Sequence, residues 1–201
     1  LTLAALHVLH GRRTRAVFAV PTATLRQWAE TLRTWLRLAD RQVLCVSVGA
    51  DVTEEALAHA SVVIVSHGIV TTLFAADRPK DRLEVLPEPE KVSPLFRQEL
   101  TLLVVDEAHL ARNTSTVLCA ALERLAATAK YRLALSGTPV VNWSGDLAGI
   151  ASVMGAPQQY RTPAFWGRKA AVSEEALEMF QAHLHRVSED ELGLPKLTER
   201  A

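Results

Sequence analysis

Cysteine is scarce: Cys45 and Cys119 are the only two in 201 residues, far apart and each inside an apolar run. That excludes a disulfide framework and a C-x-x-C metal site, and leaves both as expected core residues. Excess charge of either sign is also lacking, because 22 Lys and Arg balance 22 Asp and Glu. No global field draws a polyanion, so a nucleic-acid partner would have to be met by a local surface. Long hydrophobic runs are missing, none approaching the roughly 20 residues of a membrane span. The opening LTLAALHVLHGRRTR puts its apolar part before its basic part, the reverse of a secretory signal. An intracellular protein with no membrane partner is expected. The seven histidines include the pairs His7/His10 and His183/His185, but no carboxylate or cysteine stands at zinc-like spacing beside them. Solvated helix faces are the expectation there. Finally, no G-x-x-x-x-G-K-[ST] phosphate loop occurs, since none of the nine glycines is followed by Lys.

What is present, 49% hydrophobic and 22% charged residues, suits one ordinary globular domain with a full core. Five short apolar runs stand out: AVFAV (16–20), VLCVSV (43–48), VVIVS (62–66), LTLLVVD (100–106) and YRLALS (131–136). They are continuous rather than alternating, the pattern of strands buried on both faces of a parallel sheet. Between them, TATLRQWAETLRTWL sets Leu25, Trp28, Leu32, Trp35 and Leu36 on one helical face, with Thr22 or Thr24 as N-cap. STVLCAALERLAATA repeats the pattern with Val117, Leu118, Ala121, Leu122 and Leu125. Alternating strands and helices predict a doubly wound α/β fold. AADRPKDRLEVLPEPEKVSP (75–94), rich in Pro and charge, reads as an exposed insertion. The strand signal stops near Pro157, so residues 1–156 form the expected main domain and 157–201 a helical extension. In that extension SEEALEMFQAHL sets Leu177, Phe180 and Leu184 on one face.

The strand ends carry the chemistry. They read Pro21-Thr22, Gly49, Ser66-His67-Gly68, Asp106-Glu107 and Ser136-Gly137-Thr138-Pro139. In an open parallel sheet ligands bind outside the carboxyl ends of the strands, so these residues would line one rim. Turn residues at strand ends are the bland reading, and it suffices for Gly49 or Pro21 alone; all five together, with a carboxylate pair, favour a site. Asp106 can hold Mg²⁺ through water, and Glu107 can polarise the water that attacks a γ-phosphate. His109 can couple them to a neighbouring loop. In LSGTP (135–139) Gly137 permits a tight turn while Ser136 and Thr138 offer hydroxyls able to sense a phosphate.

These segments carry a family likeness. VPTATLRQWAETLRTW, VVIVSHGIV, SPLFRQELTLLVVDEAHLARN and LALSGTPVVNWSGDLAGIASVMG resemble, in order and approximate spacing, the N-terminal RecA-like lobe of Swi/Snf-type DNA-dependent ATPases of helicase superfamily two. The nearest likeness within it is to nuclear translocases with an insertion before the acidic strand. The resemblance implies a P-loop NTPase fold lacking its first strand and phosphate loop. It implies ATP and Mg²⁺ as cofactors and Asp106, Glu107 and His109 as catalytic residues, with Asp106 the water-mediated Mg²⁺ ligand. Ser136, Gly137, Thr138 and Asn142 would couple the nucleotide to DNA. Pro21, Thr22, Thr24, Ser66, His67, Gly68, Arg112 and Asn113 would contact DNA, and Arg186 would serve the inter-lobe segment. Asn142 distinguishes this family from the RNA helicases, whose corresponding loop usually reads Ser-Ala-Thr. Partners would be double-stranded DNA, possible nucleosomes, and a second RecA-like lobe that supplies an arginine finger. The location would be the nucleus, or the cytoplasm and nucleoid in a prokaryote.

The departures matter as well. The chain is expected to start just after the phosphate-loop Lys, and so to be inactive alone. His185 and Ser188 stand where Arg and Lys are usual, and His67 stands where Tyr is common. Two alternatives follow: another superfamily-two DNA translocase of restriction or repair type, against which Asn142 and the Trp28 helix lean, and a degenerate lobe acting only as a binding module.

Overall fold

The computed structural model describes residues 15–77, 92–167 and 174–183. Five strands form one sheet: β1 (Ala16–Val20), β2 (Val43–Val46), β3 (Val62–Ser66), β4 (Leu100–Val105) and β5 (Ala129–Ala134). Their order is β2-β3-β1-β4-β5, every neighbouring pair parallel, so β1 lies at the centre. The helices are α1 (Leu25–Leu36), α2 (Glu54–His59), α3 (His67–Ala76), α4 (Pro94–Arg97), α5 (Val117–Thr128), α6 (Leu147–Val153) and α7 (Glu174–His183).

The continuous apolar runs are buried as their composition demands. All residues of β1 and β3 are shielded from solvent, as is nearly all of β4. Side chains alternate between sheet faces, and two cores result. Val17, Ala19, Val63, Val65, Leu103 and Val105 meet Val70 of α3, Phe96 of α4 and Leu122 and Leu125 of α5. Phe18, Val20, Ile64, Leu102 and Val104 meet Ala29, Leu32 and Leu36 of α1 on the other face. A third cluster joins Leu147, Ala148 and Ala151 of α6 to Trp166 and to Ala176 of α7.

Several boundaries differ from the sequence expectation for local reasons. β2 stops at Val46 because the amides of Ser47 and Val48 turn to donate to the Asp51 carboxylate, at 2.7 and 2.9 Å. β5 starts two residues early, at Ala129. Neither Thr22 nor Thr24 caps α1 through its side chain: a 3₁₀ turn over Thr22–Thr24 precedes the helix, and the Thr24 hydroxyl donates back to the Pro21 carbonyl at 3.2 Å. Trp35, expected on the buried face, is 71% exposed, because the stripe centres on Ala29, Leu32 and Leu36 and Trp35 stands at its margin. Cys119 is fully buried and its thiol is pushed up to about 12 by desolvation, whereas Cys45 is only half-buried.

The expected insertion over 75–94 begins inside α3, and its stretch 78–91 lies outside the described residues. Its flanks are tied together, the Ser93 amide donating to the Asp77 carboxylate at 3.0 Å. His7, His10, Leu184, His185, Arg186 and Ser188 also lie outside the described residues, as do the side chains of Leu177 and Phe180.

Candidate active site at the carboxyl rim of the sheet

Parallel pairing brings the carboxyl ends of β1, β3, β4 and β5 to one rim, and the predicted residues follow them there. Asp106 comes directly after β4. Its amide donates to the Ala19 carbonyl of β1 at 2.9 Å, which anchors it to the central strand. Both carboxylate oxygens have a donor: Oδ1 accepts from the Glu107 amide at 3.0 Å and Oδ2 from the Trp28 indole Nε1–H at 2.8 Å.

Glu107 sits in the left-handed region, at φ 50° and ψ 47°. For a residue with a Cβ this costs about 1–2 kcal/mol, and it persists because the next residues are held. The Ala108 amide donates to the Leu135 carbonyl at 2.9 Å, while the Leu135 amide donates to Val105 at 2.8 Å, so the chain after β4 is bound to the end of β5. The turn aims two side chains at each other: His109 Nδ1 lies 3.1 Å from Glu107 Oε2. The same nitrogen lies 3.1 Å from Ser136 Oγ, which in turn accepts from the Thr138 amide at 3.1 Å. Glu107 and Ser136 therefore meet at one ring nitrogen of His109, which when protonated shares its hydrogen between them, and the polar chain continues from Ser136 to the Thr138 amide.

The remaining predicted residues are placed differently. Gly137, Thr138 and Asn142 are exposed. The Val141 and Asn142 amides both donate to Oδ2 of Asp146, at 3.0 and 2.7 Å, and Asp146 is buried. Arg112 and Asn113 follow the 3₁₀ turn Ala108–Ala111, which α6 holds from below. There Gly149 has no room for a side chain: a Cβ would stand 2.0 Å from the Ala111 carbonyl oxygen and 2.7 Å from Arg112 main-chain atoms. The Asn113 carboxamide oxygen accepts from the Ser115 amide at 3.0 Å and from its hydroxyl at 2.6 Å, so that atom is engaged within its own turn.

On the other side of Asp106, the ends of β1 and β3 bring Pro21, Thr22 and Thr24 beside Ser66, His67 and Gly68. Thr22 and Gly68 are exposed. Ser66 caps α3, its hydroxyl accepting from the Ile69 amide. His67 is only 8% exposed and directs Nε2 at the Ala19 carbonyl, 3.1 Å away, the same oxygen that receives the Asp106 amide. Desolvation holds its imidazole below the ordinary value, outweighing the Ala19 bond and the Asp106 and Glu107 charges that raise it. The ring supports the site from beneath rather than facing solvent. Next to this corner a groove of about 510 Å³ opens between α1 and the ends of β2 and β3, lined by Thr22, Arg26, Arg33, Ser47 and Ser66 among others.

Trp28, Asp146 and Gly149 were not among the predicted site residues. Trp28 was legible only as part of an apolar helical face, and nothing local to Asp146 or Gly149 distinguishes an ordinary helix start from a support for the rim.

Among the described residues no group of three or more His, Cys, Asp or Glu could hold a metal. An all-protein cage is therefore absent there. Asp106 offers one carboxylate whose oxygens keep further lone pairs beyond the two donors, which fits an ion such as Mg²⁺ that retains waters and substrate oxygens.

The family model described as an SNF2-related domain matches residues 2–191. Among solved structures, the Sulfolobus solfataricus SWI2/SNF2 ATPase core in complex with double-stranded DNA matches at TM-score 0.52 and 20% identity, over 83% of this chain and 28% of that one. The Pyrococcus furiosus Hef helicase domain matches at TM-score 0.56 and 18% identity, over 78% and 32%. At such identities the likeness is one of fold, a RecA-like α/β sheet, and the chain spans about a third or less of these relatives' length. No curated protein matches it.

Proposed function

Because the chain belongs to the SNF2-related domain family, matched over residues 2–191, we propose that it forms the nucleotide-binding half-site and part of the DNA track of an ATP-dependent double-stranded DNA translocase. The observation that carries this reading is the polar chain Glu107–His109–Ser136–Thr138. It joins a strand-end carboxylate to a loop on the neighbouring strand, the connection needed if hydrolysis is to move something.

In this reading Asp106 is the ligand for a Mg²⁺-bound water, and Glu107 orients the attacking water and receives its proton. Mg²⁺, when bound with ATP, supplies neutralisation of phosphate charge. The left-handed turn at Glu107 faces its carboxylate toward His109, so a change at the phosphate shifts Ser136 and the Gly137–Thr138 turn with it. Asn142, its amide held by Asp146, continues that response toward DNA. Arg112 and Asn113 add contacts beyond the turn.

Double-stranded DNA, free or on nucleosomes, is the proposed track. Thr22, Thr24, Ser66 and Gly68 lie at adjacent strand ends, and the groove beside them carries Arg26 and Arg33 together with Glu30; Arg33 is paired with Asp40 at 3.2 Å, which leaves Arg26 as the cation the groove offers to a phosphate. Pro21 fixes the turn that presents Thr22, and His67 supports it from within. A second RecA-like lobe of the full-length protein would close the cleft and bring the arginine finger, with Arg186 in the connection between lobes. The place of action follows the DNA: nucleus, or nucleoid in a prokaryote.

The test is ATP hydrolysis by the full-length protein with and without duplex DNA, wild type against Glu107→Gln. DNA-stimulated turnover that the substitution abolishes supports the translocase reading. Equal inactivity of both proteins would make the carboxylates a relic and leave a binding module.

A further inference from the structure

The hydrogen bond between Trp28 and Asp106 joins residues 78 positions apart, on different layers of the fold. We infer that Trp28 is a positioning residue for Asp106: its indole N–H fixes the carboxylate's orientation and ties it to the helix that leaves the proposed DNA-contact turn. The inference rests on the translocase reading above and adds a residue and a route of coupling to it.

Three features of the geometry support it. Trp has one polar hydrogen, and a partly buried indole seeks one acceptor. Here it takes a carboxylate oxygen at 2.8 Å. The other Asp106 oxygen is held by the Glu107 amide, so donors from two separate elements fix the plane of the group. Its remaining lone pairs then have set directions, the requirement for a carboxylate that binds an ion through water. The donor is itself held: the indole packs on Phe18 of β1 at 5.3 Å between ring centres, inclined by 46°, and Phe18 is fully buried.

The place of Trp28 on its helix gives the bond a second role. It lies in the first turn of α1, directly after the 3₁₀ turn Thr22–Thr24 that opens on the rim. A displacement of that turn on DNA binding moves the indole and hence Asp106. Ser136, at the end of β5, meets Glu107 through His109, and Trp28 meets Asp106 from α1, the helix that follows β1. Asp106 is thus tied to the helix behind the Thr22–Thr24 turn, and Glu107, through His109, to the loop after β5.

The test replaces Trp28 in the full-length protein by benzothienylalanine, which keeps the bicyclic shape and has sulfur in place of the N–H, with Trp28→Phe alongside. Two readouts are taken: Mn²⁺ binding in the presence of a non-hydrolysable ATP analogue, followed by the EPR signal of free Mn²⁺, and the ratio of ATP turnover with and without duplex DNA. Loss of an outer-shell donor is expected to weaken metal binding by roughly tenfold or more. The DNA stimulation ratio should fall as well, with the unfolding midpoint of the benzothienylalanine protein lowered by the lost bond but still well above the assay temperature. If that isostere binds Mn²⁺ and responds to DNA as the wild type does, Trp28 is only a core residue and the inference is overturned while the translocase reading stands. A wild-type protein that binds neither Mn²⁺ with nucleotide nor responds to DNA overturns both.

Discussion

Gly149→Ala is the substitution whose consequence the packing defines most sharply. In an exposed helix it would stabilise, by about 1 kcal/mol, because Ala is the better helix former. At this position the added Cβ meets the Ala111 carbonyl oxygen at 2.0 Å and Arg112 main-chain atoms at 2.7 Å. Neither can rotate away, so α6 and the turn Ala108–Ala111 must separate by about an ångström or more. Overpacking of this kind costs roughly 1–3 kcal/mol, and a clash with main chain belongs at the upper end. Offsetting the helix gain leaves a net loss near 2 kcal/mol. For a chain of this size that lowers the unfolding midpoint by roughly 4–8 °C, at about 2–4 °C per kcal/mol. The displaced turn also carries His109 and leads into Arg112, so turnover should fall further than the stability loss explains. Thermal unfolding of this domain and DNA-stimulated ATP hydrolysis by the full-length protein, measured well below the midpoint, check both parts. A variant as stable as the wild type, or more stable, would refute the reasoning, since only a helix propensity gain would then remain.

Two other outcomes are expected. His67 is held neutral by burial, so the unfolded chain binds an extra proton between the depressed folded pKa and the ordinary value of about 6.5. Stability contributed by the neutral ring is present above that value and is lost as pH falls below it; urea titrations from pH 7.5 to 5 should show the decline, and His67→Gln should flatten it. Asp146→Ala leaves the Val141 and Asn142 amides without their buried acceptor, a loss of about 2–3 kcal/mol for charge-assisted bonds; chemical denaturation measures it, and loss of DNA stimulation at full ATP binding is the outcome that the coupling role proposed for Asn142 requires.

Much of the scaffold is legible in the sequence. Five runs of β-branched and aliphatic residues read as buried parallel strands, and the segments between them as helices, because burial on both faces leaves no polar positions in a strand. The acidic pair stands out for the complementary reason: two carboxylates directly after six residues without charge contribute nothing to the core of the strand they follow. Errors gathered where a local competitor decided the outcome, as with the Asp51 carboxylate that ends β2 or the Thr24 hydroxyl that bonds backward. Trp35 was misplaced because helical periodicity identifies a stripe and leaves its width to whatever packs against it.

The sequence by itself determined the strands, the rim and the identity of the acidic residues, since each follows from composition over a few neighbouring positions. Only the tertiary structure decided that Trp28 would hold Asp106, that Asp146 would hold the loop of Asn142, that Gly149 would be the one residue small enough for its contact, and that Glu107 would adopt a left-handed backbone. These depend on which strands lie side by side and how closely helices approach them. Partners 78 positions apart, as Trp28 and Asp106 are, leave no periodic trace in the chain that encodes them.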